Sequence, residues 1–394
     1  MNSIEPRNRN WLAEWGWDEH QILPSAAYVH IPFCRHRCGY CNFSLLANRA
    51  DLYERFLSAL EIELSELRTP RAVETIFLGG GTPSILPAAQ LARLMKMLRT
   101  WLPLTSTGEW SMETNPLDVT HEFCQQIKSL GVNRLSVGGQ SFQADKLKTL
   151  ERDHTPSQLI ESVKIARQYF ESVSLDLIFA APNETLEGWQ SDLSTAIDLE
   201  LQHISTYGLT FEKGARFWAM KQRNEISSVT EELELELYQA AIDSLTQKGY
   251  EHYEVSNFAK PGFACRHNQN YWQGKQWWAF GPSAARYIAS NRSVNHRGTI
   301  EYIRRIEQNR SPIDEFEPLS NDQKTREQFV FGMRQLSGID WQVLKKGADS
   351  STIHAIEEAM ERHVLAGWMI RDGQNVRLSR EGLFISDSLW SEYL

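Results

Sequence analysis

The chain of 394 residues is long enough to bury a large core in two or three domains, and 41% apolar with 23% charged residues is the balance of an ordinary globular protein. Lys plus Arg number 41 against 50 Asp plus Glu, a net charge of −9, which argues against a tight nucleic-acid binder with a basic face. Five cysteines, three of them clustered, point to a reducing compartment rather than a disulfide framework. With neither a signal-peptide pattern nor a run approaching a membrane span, the cytoplasm is expected.

Residues 1–25 read as an extension. Trp11, Trp15 and Trp17 lie among acidic residues, with Pro24 as a breaker. Tryptophan rarely stays in water, so these rings are expected to pin the arm to the body; a lid over a site is the alternative.

From 26 to 212 short apolar runs alternate with longer amphipathic ones. Strands are expected at Ala26–Phe33, Glu74–Gly81, Glu109–Asn115, Arg134–Phe142, Val173–Ala180 and His203–Thr210. Helical patterns fill the gaps at Leu52–Leu67, Ala88–Trp101, Asp118–Leu130, Pro156–Phe170 and Leu186–Leu199. This rhythm means parallel βαβ units with right-handed crossovers, curling into a partial (βα)6 TIM-like barrel that stops short of eight. Ligands of such sheets sit at the carboxyl ends of the strands.

The polar and glycine motifs fall at those ends. Behind the first strand, Cys34, Cys38 and Cys41 lie within Tyr28-Val-His-Ile-Pro-Phe-Cys-Arg-His-Arg-Cys-Gly-Tyr-Cys-Asn-Phe43. Three thiolates satisfy three irons of a [4Fe–4S] cubane and leave the fourth open to a small chelating ligand. Zinc is the alternative, with His30 or His36 recruited as fourth ligand, but no second cysteine pair supports it. Gly79-Gly-Gly-Thr-Pro83 follows the second strand and lets backbone approach a charged group. Glu113-Thr-Asn-Pro116 ends the third, with a carboxylate suited to an ammonium. Gly138-Gly-Gln-Ser-Phe142 ends the fourth, Arg152 and His154 come after it, and Asp176 sits in the fifth.

Beyond about residue 213 the βα alternation ends. Glu231–Lys248 reads as an amphipathic helix with a solvated acidic face. Helical patterns around Arg326–Leu336 and Ser351–Ala366 precede a hairpin, Trp368–Arg371 and Val376–Ser379, turned by Asp372-Gly373. Helices followed by a hairpin suggest a winged-helix-like module, with no charge pattern to place it on DNA. The expected division is 1–25, 26–212, 213–319 and 320–394, an α/β barrel with a C-terminal α+β domain.

His267-Asn-Gln-Asn-Tyr271-Trp272 lies in the 213–319 region. If helical, His267 and Tyr271 share one stripe, and Asn268 and Trp272 the neighbouring one. Imidazole can ligate haem iron, phenol can ligate or hydrogen-bond, and indole can lie flat on a porphyrin. A packed, hydrogen-bonded histidine is the plainer reading of the residues alone. Cys265 is an alternative axial ligand or a small buried hydrophobe; Cys124, inside a helix pattern, reads as core.

The Cys-x3-Cys-x2-Cys spacing, its preceding strand and Tyr40 resemble the radical S-adenosylmethionine superfamily. From Tyr28 onward, the order of the five motifs closed by Asp176-Leu-Ile-Phe179 is similar to the oxygen-independent coproporphyrinogen III oxidase family. The resemblance implies that Cys34, Cys38 and Cys41 hold the cluster. It also implies that Tyr28, Tyr40, Gly80, Gly81, Thr82, Glu113, Gln140, Arg152 and Asp176 contact S-adenosylmethionine. The oxidases of that family carry a fourth cysteine where this chain has Phe43, whereas the haem-chaperone (HemW) branch has Phe. That branch also carries a His-Asn-x-x-Tyr-Trp motif linked to haem, which implies haem contacts from His267, Asn268, Tyr271 and Trp272. Glu254-Val-Ser-Asn-Phe258, Cys265-Arg266 and Gly281-Pro-Ser283 fit the same branch.

The implied function is haem binding and delivery to an acceptor apoprotein, with cluster and S-adenosylmethionine gating the transfer or a homodimer. Oxidative decarboxylation of coproporphyrinogen III is the enzymatic alternative, and a radical enzyme acting on another substrate is a third. The chain departs from the family where Gly-Leu-Pro-x-Gln becomes Ala180-Ala-Pro-Asn-Glu184 and where Gly-Val-Gln becomes Gly138-Gly-Gln140.

Overall fold

The computed structural model describes residues 11–17 and 23–394. Six parallel strands follow one another in chain order: β1 (Ala26–Ile31), β2 (Val73–Gly80), β3 (Leu104–Thr114), β4 (Arg134–Gln140), β5 (Ser172–Phe179) and β6 (His203–Gly208). The intervening helices are α1 (Tyr53–Ser65), α2 (Ala88–Trp101), α3 (His121–Ser129), α4 (Pro156–Tyr169) and α5 (Leu186–Asp198), each within a few residues of its expected span. Threonine hydroxyls start three of them: Thr120, Thr155 and Thr185 each accept from an orphan amide of the first turn, and Gln158 completes a capping box with Thr155.

Period two along the strands separates two chemistries. One face carries Val29, Ile31, Ile76, Leu78, Met112, Leu135, Val137, Leu175, Leu177 and Ile204, fully buried beneath the helices. Each such burial stabilises by roughly 1.5–3 kcal/mol, so this face holds the barrel together. The opposite face is polar. Register places Glu113, Ser136, Ser174 and His203 in one row, with Gly138, Asp176 and Ser205 in the next. Buried polar groups cost free energy unless partnered, and this concentration inside a barrel marks the interior as a site.

The βα alternation stops after β6, but the sheet does not. A helix α6 (Glu231–Gln247) leads to β7 (Glu251–Glu254) and β8 (Asn257–Ala259), which extend the β6 edge antiparallel. A short helix α7 (Arg266–Trp272) then leads to the other edge. There β9 (Trp277–Phe280) lies parallel to β1, followed by antiparallel β10 (Ala285–Ile288), β11 (Asn291–Asn295) and β12 (Ile313–Pro318), giving a twelve-stranded sheet. The flanking strands are tied to α1 by a buried carboxylate. Glu63 accepts from the Gly281 amide at 2.9 Å, Arg286 at 3.0 Å, Asn295 at 2.7 Å and the Tyr302 hydroxyl at 2.6 Å.

The C-terminal segment holds α8 (Asn321–Met333), β13 (Ile339–Asp340), α9 (Ser350–Leu365) and the hairpin β14 (Met369–Asp372) and β15 (Asn375–Leu378), with β15 central in a three-stranded sheet. In the arm, Trp15 is fully buried, edge-on to Trp278 and Phe280 and beneath the Arg286 guanidinium at 4.5 Å. Trp17 is covered by Arg71 at 4.4 Å. Cys124 is buried in α3.

Candidate functional site

Cys34, Cys38 and Cys41 line one cavity of about 630 Å³ at the carboxyl ends of the barrel strands. The loop that carries them is braced from outside. Gly39 accepts from the Phe217 amide at 2.8 Å, and a Cβ at Gly39 would fall on the Phe217 ring. Asn42 donates to Glu212 at 3.0 Å. Donors also face the sulfurs: Thr82 Oγ1 lies 3.3 Å from Cys34, and Arg152 Nη1 donates to Cys38 at 3.6 Å. Burial pushes the Cys34 thiol up to about 11 and raises that of Cys41, so the thiolates need positive charge from bound iron.

Three thiols on one cavity wall, with N–H and O–H donors aimed at sulfur, fit a [4Fe–4S] cluster. A cubane takes one thiolate per iron and does not require its sulfurs to meet at one point, as tetrahedral zinc does. Among the described residues no group of three or more His, Cys, Asp or Glu side chains is arranged for a single metal ion. His30 commits its nitrogens to the Tyr28 hydroxyl at 3.0 Å and the Ser44 carbonyl at 2.8 Å, while His36 bonds the Glu151 carbonyl at 2.6 Å.

The same cavity gathers Tyr40, Gly80, Gly81, Thr82, Glu113, Gln140, Arg152 and Asp176 from the ends of separate strands. Tyr28 is the exception: it stacks on Phe77 and lines a second, smaller cavity. Glu113 accepts from the Gly80 amide at 3.0 Å. Burial, and then the neighbouring Asp176 carboxylate, raise its pKa to about 8. Burial also raises Asp176, against hydrogen bonds from serine hydroxyls, Ser136 at 3.0 Å among them. Two neighbouring carboxyls, both raised by burial, are suited to a ligand amino group. The glycines after β2 also serve packing: a Cβ on Gly80 would strike the His30 ring, and one on Gly81 the Phe33 backbone. Gln140 holds φ +68° at the tip of β4, a left-handed conformation that stores strain beside the cavity.

Of the departures after β5, the one at Glu184 is explained by its surroundings. Ala180 adopts φ +61°, the region where glycine is at no disadvantage. Glu184 turns away from the cavity, accepting from the Ala181 amide at 2.9 Å and pairing with buried Lys146, which also reaches Asp192 at 3.2 Å.

The smaller cavity, about 440 Å³, is bounded by Tyr28, His30, Tyr271, Trp272, Trp277 and Phe331, and shares Asn42, Phe43 and Arg297 with the larger one. Phe43 is 60% exposed at that shared wall. Helix α7 supplies Tyr271 and Trp272 because Glu109 caps its start, accepting from the Arg266 and His267 amides, each at 3.2 Å. His267 itself is only 1% exposed, behind Tyr271. Its nitrogens are hydrogen-bonded to Thr75 Oγ1 at 2.8 Å and to the Tyr271 hydroxyl at 2.7 Å, and burial lowers its pKa to about 3. Asn268 is half-buried on the neighbouring stripe. Cys265 is buried, its thiol bonded to Glu109 at 3.6 Å and pushed up to about 12 by burial, so its packed reading fits better than an axial ligand.

The radical SAM superfamily pattern matches residues 28–196. The heme chaperone HemW of Bacillus subtilis is 33% identical over 85% of this chain and 94% of its own length, and that of Lactococcus lactis 31% identical over 94% and 97%. This chain belongs to the heme chaperone HemW family. Its fold is that of coproporphyrinogen III oxidase (HemN) from Escherichia coli, with a TM-score of 0.83 at 22% identity over 94% of this chain and 90% of that one. Membership in the radical SAM superfamily implies a [4Fe–4S] cluster and S-adenosylmethionine, which accords with the cysteine-lined cavity. Among the described residues no helix is long and apolar enough to cross a membrane.

Three residues around His267 and the aromatic cavity escaped the sequence reading. Glu109 lies in a strand whose alternation could have marked it as inward-facing. Thr75 and Arg297 carry no motif at all, and only the packing of distant segments brings them to the site.

Proposed function

We propose that the chain is a haem chaperone that binds haem beside an S-adenosylmethionine-bearing [4Fe–4S] cluster and passes the haem to an acceptor apoprotein in the cytoplasm. The observation that carries this reading is Phe43. It stands where the family's oxidases place a further cysteine, and it forms the wall between the cysteine-lined cavity and the aromatic one. Similarity to HemW chaperones along most of the chain supports the same reading.

Cys34, Cys38 and Cys41 would hold the cluster. When bound, it supplies an open iron for the amino and carboxylate groups of S-adenosylmethionine and an electron for its sulfonium. Glu113 offers a carboxylate to an N–H of that amino group, with Asp176 behind it. Arg152 is a half-buried cation, tied to the Gly138 carbonyl at 2.8 Å and to Cys38, that holds the β4 tip against the cluster loop. Haem is assigned to the aromatic cavity, with Tyr271 and Trp272 in contact, His267 orienting Tyr271, and Asn268 on the adjoining stripe. The shared wall of Asn42 and Phe43, just past the last cluster cysteine, gives the cluster a physical route to gate haem transfer.

The test is anaerobic reconstitution followed by two measurements: haem titration and a coproporphyrinogen III decarboxylation assay. Haem binding that weakens in His267→Ala, with no decarboxylation, is the expected result. Formation of protoporphyrinogen with poor haem retention overturns it in favour of the oxidase.

A further inference from the structure

Side chains able to ligate iron at the aromatic cavity are engaged inside the protein: the Tyr28 and Tyr271 hydroxyls are hydrogen-bonded to His30 and His267. Of the imidazoles nearest it, His30 and His267 have both nitrogens engaged inside the protein, and the Cys265 thiol is buried against Glu109. The cavity walls carry no carboxylate and one guanidinium, that of Arg297.

Arg297 is an exposed residue on the rim of the aromatic cavity. Its backbone carbonyl is held by the Ser44 hydroxyl, which fixes the residue against the cluster loop. Its side chain makes no ion pair or hydrogen bond among the described residues, though it stands at the rim of both cavities. An aromatic-walled space of about 440 Å³ with one guanidinium at its rim and no carboxylate on its walls suits a planar aromatic ligand with acidic edges.

We propose that Arg297 is the anion anchor of this cavity, and that the cavity recognises a porphyrin by a peripheral carboxylate and by ring stacking, with iron not required for binding. This deepens, and rests on, the reading of the chain as a haem carrier. Arginine suits the role because its planar fork pairs with a carboxylate through two parallel hydrogen bonds, and its charge persists at any physiological pH. A carrier that grips the edge of the macrocycle leaves the metal free for the acceptor to ligate.

The experiment titrates the full-length, anaerobically reconstituted protein with three probes, read by tryptophan quenching and absorbance. These are ferric protoporphyrin IX, metal-free protoporphyrin IX and the ferric dimethyl ester. Wild type is expected to bind both diacids within about threefold of each other and the ester at least about tenfold more weakly. Arg297→Gln is expected to lose about tenfold for the diacids and to become indifferent to esterification, and Arg297→Lys to recover part of the loss. Wild-type binding with Arg297→Gln unchanged, or with the metal-free diacid excluded, overturns the anchor and leaves the haem reading standing. Failure of wild type to bind any of the three porphyrins overturns the haem reading itself.

Discussion

The Glu113 carboxylate lies 3.0 Å from the Gly80 amide that donates to it, at the end of a barrel interior it shares with Asp176. One backbone donor cannot offset the loss of water, which is why burial holds its pKa near 8.

The ionised form of Glu113 accepts an N–H from the ligand amino group and the protonated form does so poorly, so affinity for S-adenosylmethionine should fall as pH drops below about 8. Equilibrium binding between pH 6 and 7.5 checks this, and Glu113→Gln should flatten the slope while weakening binding overall.

The same group sets a stability slope of defined sign. Its folded pKa of about 8 exceeds the ordinary 4.5, so the folded protein holds the extra proton across that window and its stability falls as pH rises through it. Glu113→Gln should therefore raise the melting temperature of the cluster-free protein at pH 8 by at least about 2 °C, with little effect at pH 5. An equal shift at both pH values would rule out ionisation as the cause.

Gly39 and Phe217 meet without room for a methyl group. Gly39→Ala should displace the loop that carries Cys38 and Cys41 and lower iron content after reconstitution several-fold. Adding Phe217→Ala should restore much of it, because the obstruction is the ring. Iron and sulfide analysis of the single and double variants decides the point.

Ala180 holds a left-handed backbone in the turn after β5. Relief of its Cβ strain outweighs the added freedom of the unfolded chain, so Ala180→Gly should stabilise by about 0.5–1 kcal/mol, read as a higher urea midpoint with unchanged slope.

Lys146 neutralises two buried acids, Glu184 and Asp192. Lys146→Met should cost about 3–5 kcal/mol by leaving carboxylates buried without their cation. Adding Glu184→Gln should recover part of that loss, and denaturation of both variants measures the difference. Glu184 thus sits where an amide was expected because its charge is spent inside the turn.

Much of the barrel was legible in one dimension. Apolar residues alternating every second position in β1 to β6, with helices of period near 3.6 between them, encode their own geometry, so the element spans came out within a few residues. The grouping of Cys34, Cys38 and Cys41 was legible for the same reason: residues within seven positions of one another share one loop whatever surrounds them. The flanking strands were not. The β10–β11 hairpin turns through Ala289 and Ser290 at φ +53° and +64°, where glycine or asparagine would have announced it. Short strands without such turn residues acquire their identity from the sheet edge they join.

Local order in the chain also determined that His267 and Tyr271 share a helix face, since a spacing of four does so in any helix. Only tertiary packing decided what that face meets. Thr75 and Glu109 come from strands more than 150 residues upstream and turn the histidine inward, while Arg297 arrives from 25 residues downstream of Trp272 to stand at the cavity. Burial and partnership depend on long-range neighbours, whose positions no local spacing records, and these set both the availability of the imidazole and the freedom of the guanidinium.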